Sequence, residues 1–352
     1  MPNAFTYQIN PARIVFGPGT LARVAEEITG QGCRRALILS TSFQKPDADQ
    51  LSQQLGRLSV GVFPEAAMHT PVEVTERALA AYAGTGADCV VALGGGSTIG
   101  LGKAIAYRND APQIVVATTY AGSEVTPILG QTENGVKTTV RDARILPEVV
   151  IYDPDLTLGL PVAMSVTSGL NAMAHAVEAL YAQDRNPVSS LMAVEGIRAL
   201  KEALPRIMAD PTEASARSQA LYGSWLCGTV LGTVGMALHH KLCHTLGGSF
   251  DLPHAETHAI VLPHSAAYNA AAAADALQPA ADLFGGSVGG GLYDFAAFLG
   301  APLALRDLGL QEADLDRAAD LAVRNPYWNP RPIEREAVRA LLQRAWAGTR
   351  PE

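Results

Sequence analysis

The sequence predicts an α/β N-terminal domain built on a parallel sheet, residues 1–157, followed by an all-α C-terminal domain, residues 158–352. Three observations carry this. The 352-residue chain exceeds one average domain. Its first 155 residues alternate short β-rich runs with amphipathic helical stretches. Beyond Pro161 the apolar spacing changes to three and four.

In order, RIVF reads as a strand and FGPGTLA as a turn opening a helix. RRALILS, SVGVF, DCVVALGGGS and PQIVVATT read as further strands, with PDADQLSQQLGRL, VTERALAAYAGTG and STIGLGKAIAYRN as the helices between them. EVVIYDPDLTLGLP closes the series, and Pro154 and Pro161 mark a hinge. Helical patterns then run from VAMSVTSGLNAMAHAVEALYAQ through 187–208, 212–232, 237–248 and 314–324. GGSVGGG, residues 285–291, follows no strand and reads as a joint between two helices.

Apolar residues form 48% and charged residues 17% of the chain, which excludes a disordered polypeptide. A net charge of -8 argues against nucleic acid, because phosphate backbones need clustered Lys and Arg. The N-terminal MPNAFTYQINPARIVF lacks a signal-peptide pattern, and no 18-residue apolar run occurs, so a cytoplasmic protein without a membrane partner is expected. Cys33, Cys89, Cys227 and Cys243 lack CxxC spacing and read as buried thiols.

Two glycine motifs compete for a phosphate. FGPGTLA imitates a dinucleotide fingerprint, yet no acid follows at the ribose distance in LILSTS. VVALGGGSTIGLGKAIA is stronger: a buried strand runs into Gly94, Gly95 and Gly96, and Ser97 opens a helix. Residues without side chains let a pyrophosphate approach N–H groups at a positive helix end, making this a dinucleotide-binding domain. VVATTYAGSEVTP places Thr118 and Thr119 at another strand's carboxyl edge.

HHKLCHTLGGSFDLPHAETHAIVLPH, residues 239–264, holds six of the eight histidines. From composition alone it fits a metal site, an acid/base site or a helical core with polar seams. His239, His264 and the isolated His69 read as packing or helix-end residues.

GGGS, TTYAGSEVT, SGLNAMAHAVEALY and the histidine stretch, in that order, resemble the iron-containing alcohol dehydrogenase family over nearly the whole chain. The resemblance implies the dehydroquinate synthase-like fold, an active site in the cleft between the domains, and a homodimer. It places Gly94, Gly95, Gly96 and Ser97 on the pyrophosphate, and Thr118, Thr119 and Tyr120 on the ribose and nicotinamide side, with Tyr120 reaching substrate. Ser40, Thr41 and Ser42 fall where relatives select NAD with an acid; Thr41 replaces it, so NADH and NADPH are both accommodated.

The family's metal ligands, a carboxylate and three histidines, map to Asn171, His175, His240 and His254. Asn171 is neutral, which removes the anion of the cage, so no metal is expected. Lys241 and His258 add positive charge that attracts carboxylates. The implied reaction is reduction of the C=C bond of a small dicarboxylate, 4-oxohex-2-enedioate, to 3-oxoadipate during breakdown of aromatic compounds. His244, Lys241, His175 and His254 are the expected catalytic residues, with Asn171, His240 and His258 supporting substrate. Arg141 and Arg144 are further candidates for a substrate carboxylate. Rival readings are a metal-dependent alcohol dehydrogenase or aldehyde reductase on the same fold, and a non-catalytic nucleotide sensor.

Overall fold

A computed structural model describes residues 5–8, 10, 12–325 and 327–352; the rest of the N-terminal stretch considered above lies outside the described residues. Two compact units emerge, one ending at Leu160 and one running from Pro161 to Glu352, the latter also taking residues 5–8.

In the first unit, β1 (Arg13–Phe16), α1 (Val24–Gly30), β2 (Ala36–Leu39), α2 (Lys45–Leu55), β3 (Ser59–Phe63), α3 (Val72–Thr85), β4 (Cys89–Gly94), α4 (Gly96–Asn109) and β5 (Gln113–Ala117) alternate as expected. The antiparallel pair β6 (Ile128–Glu133) and β7 (Val136–Arg141) follows, then β8 (Val149–Tyr152). Six strands form one parallel sheet in the order β1-β8-β5-β4-β2-β3. Both faces are covered, which is why the strands read as unbroken apolar runs. Ala36 and Ile38 enter one core with Cys89, Val91 and Leu93, while Leu37 and Leu39 enter the other with Val90. The chain steps outward from β2 to β3 and returns to the far side of β2 with β4, so the carboxyl ends of β2 and β4 flank the point where the order reverses.

The β6–β7 hairpin is absent from the sequence-based reading. Asn134 and Gly135 turn it with φ of 49° and 75°, the left-handed pair that a two-residue hairpin needs. That Asn-Gly pair was the available signal. FGPGTLA does form a turn leading into α1, and its N–H groups are occupied: the Asp153 carboxylate accepts from Gly19 at 3.1 Å and Leu21 at 2.9 Å. An internal anion therefore fills the place a phosphate would take.

The second unit comprises α5 (Val162–Leu180), α6 (Pro187–Ala209), α7 (Ala214–Thr233), α8 (Leu238–Phe250), α9 (His254–Ala270), α10 (Ala274–Leu283), α11 (Val288–Phe298), α12 (Leu315–Val323) and α13 (Arg335–Ala347). α5 is buried without a break from Ser165 to Leu180, with α6, α7 and α9 packed around it. Leu242 and Leu246 of α8, Ile260 of α9, Leu315 of α12 and Leu341 of α13 share a second core.

The reading of GGSVGGG needs correction. Gly285 and Gly286 join α10 to α11, but Gly289, Gly290 and Gly291 lie inside α11. Close packing explains them: a Cβ on Gly291 would lie within 2.5 Å of Phe284 Cβ. Among the described residues no single helix is long and apolar enough to cross a membrane, and all four cysteines are buried thiols.

Candidate active site

At the carboxyl edge of the sheet the three glycines have different jobs. Gly94, at φ 155°, leaves no room for a Cβ, which would meet Thr98 Oγ1 at 2.5 Å and Gln44 Oε1 at 2.8 Å. Gly95 is the N-cap of α4, so the helix opens one residue before Ser97. A Cβ on Gly95 would meet Thr119 Cγ2 at 2.7 Å, whereas one on Gly96 would meet nothing. No side chain caps α4, and its first-turn N–H groups suit an anion.

Thr118 joins this edge by donating its N–H to Gly94 O at 3.1 Å and accepting from Gln44 Nε2 at 3.0 Å. Thr119 is half-buried. Thr41 Oγ1 accepts from the Gln44 N–H at 3.3 Å. Ser40 is fully buried and its hydroxyl has no hydrogen-bond partner. Tyr120, expected to reach substrate, is instead 0% exposed, a core position.

Sequence reasoning missed Gln44 and also Lys103. The Lys103 ammonium donates to the carbonyls of Ser123, Thr126 and Ile128 at 2.5, 2.8 and 2.9 Å, which ties down the loop following Thr118 and Thr119. Arg144 is engaged locally, bonded to Asp142 at 2.7 and 2.9 Å and lying over the Tyr107 ring, so its assignment to a substrate carboxylate is withdrawn.

The second unit gathers most of the histidines. Asn171 and His175 share one face of α5, four residues apart. His175 Nδ1 and His240 Nε2, on α8, lie 2.9 Å apart. His239 Nε2 bonds His258 Nδ1 at 3.0 Å, and its Nδ1 bonds Ser265 Oγ at 3.0 Å. The His254 ring, at the start of α9, lies 4.4 Å from that of His258, and the His244 ring 6.1 Å from that of His240. His244 is the exposed member. Lys241 is turned to a different face and lies 5.7 Å over the Tyr327 ring.

Two expectations change here. His239 was read as packing, yet it is bonded into the cluster through His258. His258 was read as added positive charge, but burial first, and then its histidine neighbours, push it well below the usual imidazole range, as they do His239. Both rings are held neutral. His264 is packing as expected, fully buried with both ring nitrogens unpartnered, and burial lowers it to about 4.

Glu178 is the residue the sequence reading overlooked. It follows His175 by three positions, is 1% exposed, and its carboxylate bonds the His239 and His240 N–H groups and His240 Nδ1. The available signal was a glutamate three residues from a histidine on an otherwise apolar helix.

The four family metal positions fit a dication poorly. Their donors are one amide and three imidazoles, with no anion among them. The buried Glu178 carboxylate is bonded to His240 Nδ1, and His240 Nε2 and His175 Nδ1 bond each other. Asn171 Oδ1 is buried without a partner, an acceptor suited to a donor group.

Comparison with known proteins matches this architecture in both halves. The model of the iron-containing alcohol dehydrogenase matches residues 11–154, and that of the Fe-containing alcohol dehydrogenase family, C-terminal, residues 165–346. The chain is 68% identical over 348 residues to maleylacetate reductase of Rhizobium sp. (strain MTP-10005), covering 99% of each. It is 55% identical over 350 residues to maleylacetate reductase of Burkholderia cepacia, again covering 99% of each. The crystal structure of maleylacetate reductase from Agrobacterium tumefaciens matches with a TM-score of 0.96 at 68% identity, covering 99% of this chain and 100% of that one.

Proposed function

The chain belongs to the iron-containing alcohol dehydrogenase family, and we propose that it reduces maleylacetate to 3-oxoadipate with NADH or NADPH and without a metal. The observation that carries the substrate is the 68% identity to a maleylacetate reductase over 99% of both chains. The neutral Asn171 among the family's metal positions supports the metal-free form. The glycine edge, with the uncapped start of α4, supports a nicotinamide dinucleotide.

Maleylacetate is a dicarboxylate whose C=C bond is conjugated to a ketone. Hydride added at the carbon β to the ketone leaves an enolate, and a proton then enters at the α carbon. The protein must bind two carboxylates, stabilise an oxyanion and deliver one proton. His244 and the His175–His240 pair suit proton delivery and oxyanion stabilisation. Asn171 and His254 suit polar recognition, and Lys241 suits a carboxylate. Burial, which pushes both imidazoles below their usual range, suits His258 and His239 to hydrogen bonding.

The test is direct. Purified protein mixed with maleylacetate and either cofactor should consume the reduced nicotinamide and yield 3-oxoadipate by mass spectrometry. Reduction of simple aldehydes with no turnover of maleylacetate would refute the substrate and favour the alcohol dehydrogenase reading. A homodimer belongs to the same proposal and rests on the family resemblance; analytical ultracentrifugation tests it.

A further inference from the structure

α8 starts at Leu238, and Ala237 before it supplies no side-chain cap. The first N–H groups of a helix lack intrahelical acceptors. Here the acceptor comes from another helix: Glu178 of α5 takes the His239 N–H at 2.8 Å and the His240 N–H at 3.3 Å. The same carboxylate bonds the His240 ring at Nδ1, and all of these groups are buried. Beyond that ring the bond from His240 Nε2 to His175 Nδ1, at 2.9 Å, continues the line.

We propose that Glu178 is a positioning residue, which fixes His240 in the tautomer with hydrogen on Nδ1 and an acceptor at Nε2 turned to His175. A carboxylate accepts and does not donate, so its bond requires hydrogen on Nδ1. Nε2 must then accept, and His175 Nδ1 is the donor. One glutamate thereby sets both the start of α8 and the donor–acceptor order of the Glu178–His240–His175 line. Its kinetic consequence rests on the reductase reading; its structural content does not.

Two readouts separate this role from simple capping. In protein labelled with ¹⁵N-histidine, nitrogen shifts should show His240 protonated at Nδ1; hydrogen on Nε2 in the unaltered protein overturns the proposal without any variant. In Glu178→Gln the amide keeps its oxygen for the His239 N–H, but in place of the oxygen that takes the His240 N–H and Nδ1 it presents N–H to Nδ1, which forces hydrogen onto Nε2. Maleylacetate kcat should fall on the order of 10²- to 10⁴-fold while both KM values change little, as when a histidine is held in the wrong tautomer. Glu178→Asp, which keeps a carboxylate, should recover part of kcat. A folded Glu178→Gln protein with the original tautomer, or with kcat within about twofold of the original, would reduce Glu178 to a cap. If the unaltered protein fails to reduce maleylacetate, the functional reading falls while the tautomer result still decides this proposal.

Discussion

His175 Nδ1 and His240 Nε2 bond each other at 2.9 Å, joining α5 to α8. A hydrogen bond between two imidazoles places one proton between them, and the neutral Asn171 on the same face as His175 supplies no anion to favour a dication in that proton's place. Full activity in excess EDTA is therefore expected. Loss of activity on dialysis against chelator, restored by Zn²⁺ or Fe²⁺, would contradict the metal-free mechanism.

Asn171→Asp should create the missing anion, because residue 171 shares the buried face of His175 and its side-chain oxygen has no partner. Divalent-ion affinity measured by calorimetry should rise at least about tenfold, as a carboxylate joins the imidazoles. An unchanged affinity would show that the histidines are not arranged around a common point.

Gly95→Val should weaken nicotinamide binding while the protein still folds. Gly95 has an ordinary negative φ of -97°, so the backbone tolerates a side chain. The added Cβ would displace Thr119, 2.7 Å away, at the edge where the pyrophosphate is expected. Calorimetry with NADH on the folded variant checks this; unaltered affinity would remove the loop from the cofactor site.

His244→Ala should lower kcat on the order of 10²- to 10⁴-fold if this exposed ring transfers the proton. Lys241→Ala should chiefly raise KM for maleylacetate if the ammonium over Tyr327 binds a ground-state carboxylate. Steady-state kinetics of the two variants would assign these roles, and a reversed pattern would exchange them.

What could be read from sequence was local. Unbroken apolar strands, helical spacing and a glycine turn all sit within a few residues of one another, so the sheet, the helical half and the Gly94–Ser97 edge were legible. Glu178 was not, because its partners His239 and His240 lie 61 and 62 residues onward and only packing brings α8 to it. The neutrality of His258 was hidden for a similar reason, since it depends on burial. Lys241 follows His240 directly, and one step along a helix turns a side chain by about 100°, which carries it to Tyr327.

Stability should fall in acid through His264. Its folded-state value of about 4 lies below the 6.5 of a free imidazole, mainly through burial, with Arg344 adding to the effect. The depressed group contributes stability that is present above about 6.5 and is lost as pH falls toward 4, on the order of 3 kcal/mol in all. His264→Phe removes no hydrogen bond, because both ring nitrogens are unpartnered. Urea midpoints should show the variant gaining on the unaltered protein between pH 6.5 and 4; parallel curves would refute this.

The placement of β1 has a consequence for how the enzyme is made. Arg13 to Phe16 pair with Val149 to Tyr152, so this strand, once synthesised, waits for the last strand of its sheet. At ordinary translation rates that wait is on the order of 10 s, far longer than hairpin or helix formation. Until β8 arrives, the edge of β5 that will hold it is open, and β1 has no partner in the sheet. Such edges pair readily with neighbouring nascent chains. Ample chaperone during synthesis should therefore raise the yield of native enzyme more than any added stability of the finished fold.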